Sequence, residues 1–185
     1  VTTLHGSIGQ INFIDPTKGE MLLFDVVRLI EQSTLCLADE LQTHSLSNKE
    51  FWHDKLNFEP VYIPTPYELP EKVNIVRDKT PSGPLVVGRV QYWKGPTVLC
   101  ESLNKLGKNA PEIKWIGRDT KHKEINCSMS DFLNKNYPSI WNNKILPLGN
   151  MTYKEVLKHQ AQSLYGIVPS IWDMFNMTCV EFMAN

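Results

Sequence analysis

The sequence predicts an α/β fold built on parallel strands. Three observations carry that expectation. Short apolar runs alternate with longer runs whose apolar residues recur at helical spacing. Two of the longer runs open on a capping-box pattern. In the second half, four strand-like runs each lead into a turn and then a helix. Parallel pairing is the economical arrangement for such units, and it gathers ligands at the carboxyl ends of the strands.

Taken in order, Thr2 to His5 reads as the end of a strand. Glu20 to Gln32 carries Leu22, Leu23, Val26, Val27, Leu29 and Ile30 at helical spacing. Glu40 to Thr43 is a short strand. Ser47-Asn48-Lys49-Glu50 matches a capping box and opens a helix through Leu56. Val61-Tyr62-Ile63 is the next strand. Pro64, Pro66 and Pro70 then remove backbone donors and fix φ within a few residues, which makes this stretch a stiff connector. The domain boundary is placed there, dividing the chain into residues 1–66 and 67–185.

Beyond the boundary, Leu85-Val86-Val87 is a strand followed by Gly88. A helix runs from Pro96 to Leu106, with proline in its first turn. Ile113 to Ile116 is a strand ending at Gly117, and Asp131 to Lys135 belongs to a helix. Lys144 to Leu146 is a strand ending near Gly149. Thr152-Tyr153-Lys154-Glu155 caps a helix to about Gln160. Leu164 to Val168 is the fourth strand, and a helix bearing Glu181 follows. Both ends of the chain read as cut, so a fragment of a larger protein is expected.

Composition narrows the function classes. The 185 residues include 19 Lys and Arg against 20 Asp and Glu, a formal net charge of −1, which gives no electrostatic footprint for nucleic acid. No apolar run approaches the length of a transmembrane helix, and Val1-Thr2-Thr3-Leu4-His5 lacks a basic signal-peptide start. Cys36, Cys100, Cys127 and Cys179 are widely scattered and read as buried reduced thiols, which fits the cytoplasm. Attachment to the periphery of a membrane is left open. The sequons at Asn126, Asn150 and Asn176 read as coincidences in an Asn-rich chain. The remaining histidines show no metal-ligand spacing. Trp115 and Trp172 read as packing residues and Trp93 as a half-buried loop anchor.

Two clusters suggest chemistry. Asp173 and Glu181 lie eight residues apart around Phe175-Asn176-Met177. On a helix that separation spans about 12 Å, roughly a sugar plus part of a nucleotide. Two carboxylates flanking a helix N-terminus suit the hydroxyl-rich ends of one ligand, with backbone amides facing its phosphates. The second cluster is Gly88-Arg89-Val90-Gln91-Tyr92-Trp93-Lys94-Gly95, after the first strand of the second domain. Arg89 offers a two-pronged grip on phosphate oxygens and Lys94 a mobile point charge, which together suit a diphosphate.

The pattern G-R-x4-K-G, followed about eighty residues later by P-S-x2-[E/D]-x7-E and then M-A, resembles the C-terminal domain of family 4 glycosyltransferases. The resemblance runs from about Pro84 to Asn185. Thr3-Leu4-His5-Gly6 is more faintly similar to the histidine loop of the family's first domain, and Ala38-Asp39 through Ser45 to the stretch ahead of its next helix. It implies the GT-B fold: two Rossmann-like domains, with residues 1–66 the end of the acceptor-side domain and residues 67–185 the nucleotide-sugar domain. It also implies hexose transfer from a nucleotide diphosphate sugar to a hydroxyl acceptor, a glycan, lipid or protein, with retention of configuration and without a metal or other cofactor.

Residue by residue, the resemblance gives Arg89 and Lys94, beside Gly88, to the donor diphosphate. Glu181 holds the ribose hydroxyls and Asp173 the hydroxyls of the transferred sugar. The amides around Asn176 and Met177 help hold phosphate, and His5 stands beside the sugar. Two positions depart from the pattern. Asp173 stands where the family usually has glutamate, which shortens its reach by about 1.5 Å. Asn176 replaces a glycine, and asparagine tolerates the left-handed backbone region that glycine serves. Two other readings compete: a nucleotide-binding module without catalysis, and a glycoside hydrolase using Asp173 and Glu181 as its carboxylate pair.

Overall fold

The computed structural model describes residues 2–4, 21–53, 59–68, 82–122 and 127–184. The chain forms two compact units, one of residues 1–67 with 172–175, the other of residues 68–171 with 176–185.

The first unit holds a parallel sheet of β1 (Thr2–Leu4), β2 (Leu41–Thr43) and β3 (Val61–Tyr62), in that order. Helix α1 (Met21–Leu35) connects β1 to β2, and α2 (Leu46–His53) connects β2 to β3. Parallel neighbours cannot be joined by a tight turn, so each needs such a crossover. Leu35, Leu41 and Trp52 form the core, and Phe51 meets Trp52 edge to face at 5.2 Å. The helix cap differs from the expectation. Ser45, not Ser47, heads α2: its Oγ accepts from Asn48 N at 3.3 Å and its carbonyl from Lys49 N at 3.0 Å. Thr43 Oγ1 accepts from Ser45 N at 3.3 Å, so the chain turns directly after β2 and the cap falls two residues early.

The second unit is built on β4 (Leu85–Val87), β5 (Ile113–Ile116) and β8 (Ile145–Gly149), parallel and in that order. Helix α3 (Pro96–Leu106) joins β4 to β5. Between β5 and β8 come a small antiparallel pair, β6 (Lys121–His122) and β7 (Cys127–Ser128), and helix α4 (Met129–Asn136). Nothing in the order of residues marks β6 and β7, since two residues are too few to show alternation. Helix α5 (Tyr153–Gln162) and helix α6 (Met177–Ala184) complete the unit.

This sheet is buried on both faces, which is why its strands are mostly apolar. Val86, Ile113, Trp115 and Ile145 join Leu99, Cys100, Leu103, Met129, Leu133 and Trp141 on one side. Leu85 and Ile116 join Val156 on the other, with Val87 and Phe182 packed against them. Trp115 and Trp141 are wholly buried and cross edge to face at 5.9 Å. Cys100 shares this core, and burial pushes its thiol up to about 12. Cys36 and Cys179 are exposed instead, which corrects the expectation that each cysteine is buried; all four are free.

The expected fourth strand, Leu164 to Val168, is not a strand. It lies along β4 through isolated parallel bridges, Ser82 with Ser163 and Leu85 with Gly166. Leu164 N donates to Ser82 O at 2.7 Å and Ile167 N to Leu85 O at 2.8 Å. Leu164 and Tyr165 are exposed, so the segment buries too little side chain to settle into a regular ladder. It still flanks β4 on the side away from β5. The order across the unit is therefore β8, β5, β4 and then this edge segment.

Capping fixes two of the helices. Ser128 and Asp131 form a reciprocal box at α4, and Thr152 and Glu155 another at α5. Thr152 N donates to Glu155 Oε2 at 2.8 Å and Thr152 Oγ1 to the same oxygen at 2.7 Å, which holds the carboxyl below its ordinary value of 4.5. We expect Thr152→Ala to lower the melting temperature by a few degrees, consistent with about 1 kcal/mol for a lost N-cap. Because the folded-state pKa of Glu155 is depressed, its contribution is present above 4.5 and fades as pH falls through the folded value. The melting-temperature gap between wild type and Glu155→Gln should therefore close in acid below that point.

Candidate functional site

The candidate site of the second unit grows from the order of its strands. The chain leaves β4 toward β5 on one side, while the edge segment pairs with β4 on the other. Strand order reverses between the two, and in open α/β sheets ligands occupy the crevice at such a switch point, beyond the carboxyl ends. Two loops emerge there: residues 88–95 after β4, and residues 168–171 after the edge segment.

The first loop is the basic turn. Trp115 Nε1 donates to Gly88 O at 2.7 Å and Gly88 N to Ile116 O at 2.9 Å, so the loop leaves from a fixed point. Val90 is buried, with its N–H on Arg118 O at 3.0 Å and its carbonyl accepting from Thr120 Oγ1 at 2.7 Å. Between these anchors Arg89 is exposed. Tyr92–Lys94 then forms a single 3-10 turn, closed by Gly95 at φ 72°. The Lys94 stem folds back to 4.0 Å from the point where a Cβ on Gly88 would stand. Both cations thus belong to one tight loop.

The second loop is joined to the first. Ile171 N donates to Trp93 O at 2.9 Å. A Cβ on Gly95 would stand 1.9 Å from Pro169 O, so only glycine allows the two backbones to approach this closely. Past this junction, Trp172 to Phe175 groups with the first unit, and the chain rejoins the second at Asn176.

Asn176 caps α6. Its Oδ1 accepts from Cys179 N at 3.2 Å, and its carbonyl accepts from the same N–H at 3.0 Å. Its Nδ2 reaches Ser170 Oγ at 3.4 Å, linking the cap to the second loop. The left-handed backbone considered for this residue is not used; among the described non-glycine residues only Asn142 has positive φ. An asparagine serves here because its side chain supplies the cap that a glycine lacks.

Helix α6 is seated by Phe182, whose ring lies 2.5 Å from where a Cβ on Gly166 would be. Glu181, half-buried, accepts from Gln160 Nε2 of α5 at 3.2 Å.

Of the residues singled out in the sequence, Gly88, Arg89, Lys94, Asn176, Met177 and Glu181 all lie in the second unit. The loops or helix that carry them are tied to one another by the bonds above. Asp173 falls in the segment that groups with the first unit, and His5 lies outside the described residues. Sequence reasoning passed over Arg118, an exposed cation directly after β5 and hydrogen-bonded through its carbonyl to the basic turn. The signal was available, since Gly117-Arg118 after β5 repeats Gly88-Arg89 after β4. Among the described residues no group of three or more His, Cys, Asp or Glu could hold a metal ion. No described helix is long and apolar enough to cross a membrane.

No protein-family model matches the chain, and no curated protein matches it in sequence. Solved structures do. Sucrose-phosphate synthase (tll1590) from Thermosynechococcus elongatus superposes with a TM-score of 0.69 at 18% identity, over 98% of this chain and 47% of that one. HepE (Alr3699) of Anabaena, solved with UDP and glucose, gives 0.64 at 14% identity, over 100% of this chain and 50% of that one. Trehalose-6-phosphate synthase, studied for glycosyl transfer with retention, gives 0.61 at 17%, over 98% and 49%. The chain spans about half the length of these proteins. At such identities the likeness is one of fold: parallel sheets with flanking helices, as in GT-B glycosyltransferases.

The Gly95 contact yields a direct prediction. Gly95→Ala places a methyl group into the Pro169 carbonyl and strains a positive φ, so it should destabilise the second unit by about 2 kcal/mol or more. The check is a urea melt followed by tryptophan fluorescence, with Gly107→Ala as the control. Gly107 also has positive φ, but open space surrounds its missing Cβ.

Proposed function

We propose that this chain is part of a retaining glycosyltransferase of the family 4 type, which moves a hexose from a nucleotide diphosphate sugar to a hydroxyl acceptor. The observation that carries the reading is the main-chain junction at the switch point. There the Arg89–Lys94 turn is fastened to the loop leading toward α6, the helix that bears Glu181. A nucleotide diphosphate needs cations at one end and a hydroxyl-binding carboxylate at the other, and one fastened frame carries both. The fold likeness to a protein solved with UDP and glucose supports the same donor class.

In this reading Arg89 and Lys94 bind the donor diphosphate. Negative charge builds on the β-phosphate as the sugar leaves, and cations fixed in place beforehand stabilise it without reorganising. They take the part that a divalent metal plays elsewhere, so no metal is required. Met177 and Asn176 bring the start of α6 toward the phosphates, and Glu181 holds the ribose hydroxyls. Asp173 and His5 are assigned to the transferred sugar. No side chain is assigned as general base: with attack on the face the leaving group departs from, a donor phosphate oxygen takes the acceptor's proton. The free thiols fit a reducing, cytoplasmic setting.

The test uses the complete protein with UDP, ADP, GDP and their glucose conjugates. We expect at least one nucleoside diphosphate to raise the melting temperature through selective binding of the folded state. Arg89→Ala should weaken that binding at least tenfold and lower kcat/KM for transfer. Release of nucleoside diphosphate only in the presence of acceptor distinguishes transfer from hydrolysis, and binding without turnover would indicate a module that has lost catalysis. Absence of stabilisation by every diphosphate tried would remove the basis of the reading.

A further inference from the structure

We propose that Gln160 is a positioning residue for Glu181, an inference that rests on Glu181 as the ribose-binding carboxylate. Gln160 is 4% exposed, in the last turn of α5. Its backbone is anchored, with the carbonyl oxygen accepting from Ser163 N at 3.2 Å and Ser163 Oγ at 2.8 Å. From that point its side chain donates Nε2–H to Glu181 Oε2 at 3.2 Å. The partner helix is seated independently by Phe182 on Gly166. Two packed helices thus hold donor and acceptor in register.

An amide is the right chemistry for this task. It fixes the plane of a carboxylate through a charge-assisted bond yet leaves the negative charge in place. Lysine or arginine at the same position would neutralise Glu181 and compete with ligand hydroxyls for its oxygens. A vicinal diol presents two donors at a set spacing and needs a carboxylate whose rotamer is already fixed. An unheld glutamate loses rotamer freedom each time it binds.

The experiment measures binding of UDP, ADP, GDP and inorganic pyrophosphate to the complete protein by titration calorimetry. Gln160→Met removes the donor at similar volume. The Kd of the best-bound nucleoside diphosphate should rise about tenfold, or about 1.4 kcal/mol, while that of pyrophosphate stays unchanged. In a Glu181→Ala background the same change should have no further effect. Gln160→Glu keeps the shape but sets two carboxylates side by side. It cannot donate to Glu181 as the amide does, so its affinity for the nucleoside diphosphate should fall at neutral pH. If Gln160→Met does not fold, Gln160→Glu compared in the wild-type and Glu181→Ala backgrounds decides. A loss of equal size in both backgrounds, or one shared by pyrophosphate, would make Gln160 merely structural and overturn the proposal. Unchanged binding in Gln160→Met with weakened binding in Glu181→Ala would overturn it and leave the ribose assignment standing. No effect of Glu181→Ala would remove that assignment and this inference together.

Discussion

The candidate site depends on one junction between two stretches of backbone, where Ile171 donates to Trp93 and Gly95 lies against Pro169. Without it, the loop after β4 and the loop after the edge segment would be two independent excursions from a sheet. With it, the cationic turn and the approach to α6 share one frame. The sheet supports that frame from beneath. Trp115, wholly buried, uses its indole N–H to hold the carbonyl with which the cationic turn begins. A core residue therefore sets the departure point of a surface loop, and a change in packing around Trp115 would be felt at Arg89.

A second constraint governs the last helix. It is short, and its start is stabilised by Asn176. Asparagine at this point performs two tasks, closing the helix end and reaching back to Ser170. Phe182 then fills the space that Gly166 leaves open, and Glu181 takes its direction from the adjacent helix. Each of these contacts is modest. Together they give a two-turn helix a defined position.

Much of this architecture was legible in the chain. The buried strands declared themselves because a parallel sheet covered on both faces needs strands that are mostly apolar, as in Leu85-Val86-Val87 and in Ile113, Trp115 and Ile116 around Lys114. Thr152 and Glu155 announced a helix start, because reciprocal capping requires those side chains at that spacing. Ser47 misled because Ser45 offered a hydroxyl sooner, right after β2, and spacing alone cannot choose between them. The edge segment misled because its composition suits a strand while its pairing with β4 is only intermittent. Of the candidate site, Arg89, Lys94 and Glu181 could be named as residue types, but nothing in the order of letters joins Trp93 to Ile171. Those bonds use main-chain atoms, which every residue except proline supplies alike. Gln160 was invisible for a related reason, since a buried amide on a helix looks like any other glutamine until its neighbour is known.

The main-chain character of that junction has a practical corollary. Ile171 contributes only its peptide group to the bond that links the loops, so its exposed side chain is open to replacement by a designer. A saturation library at this position could reshape the wall beside the cationic turn while the frame beneath it persists. Gly95 is the one member of the junction that such a library must leave alone.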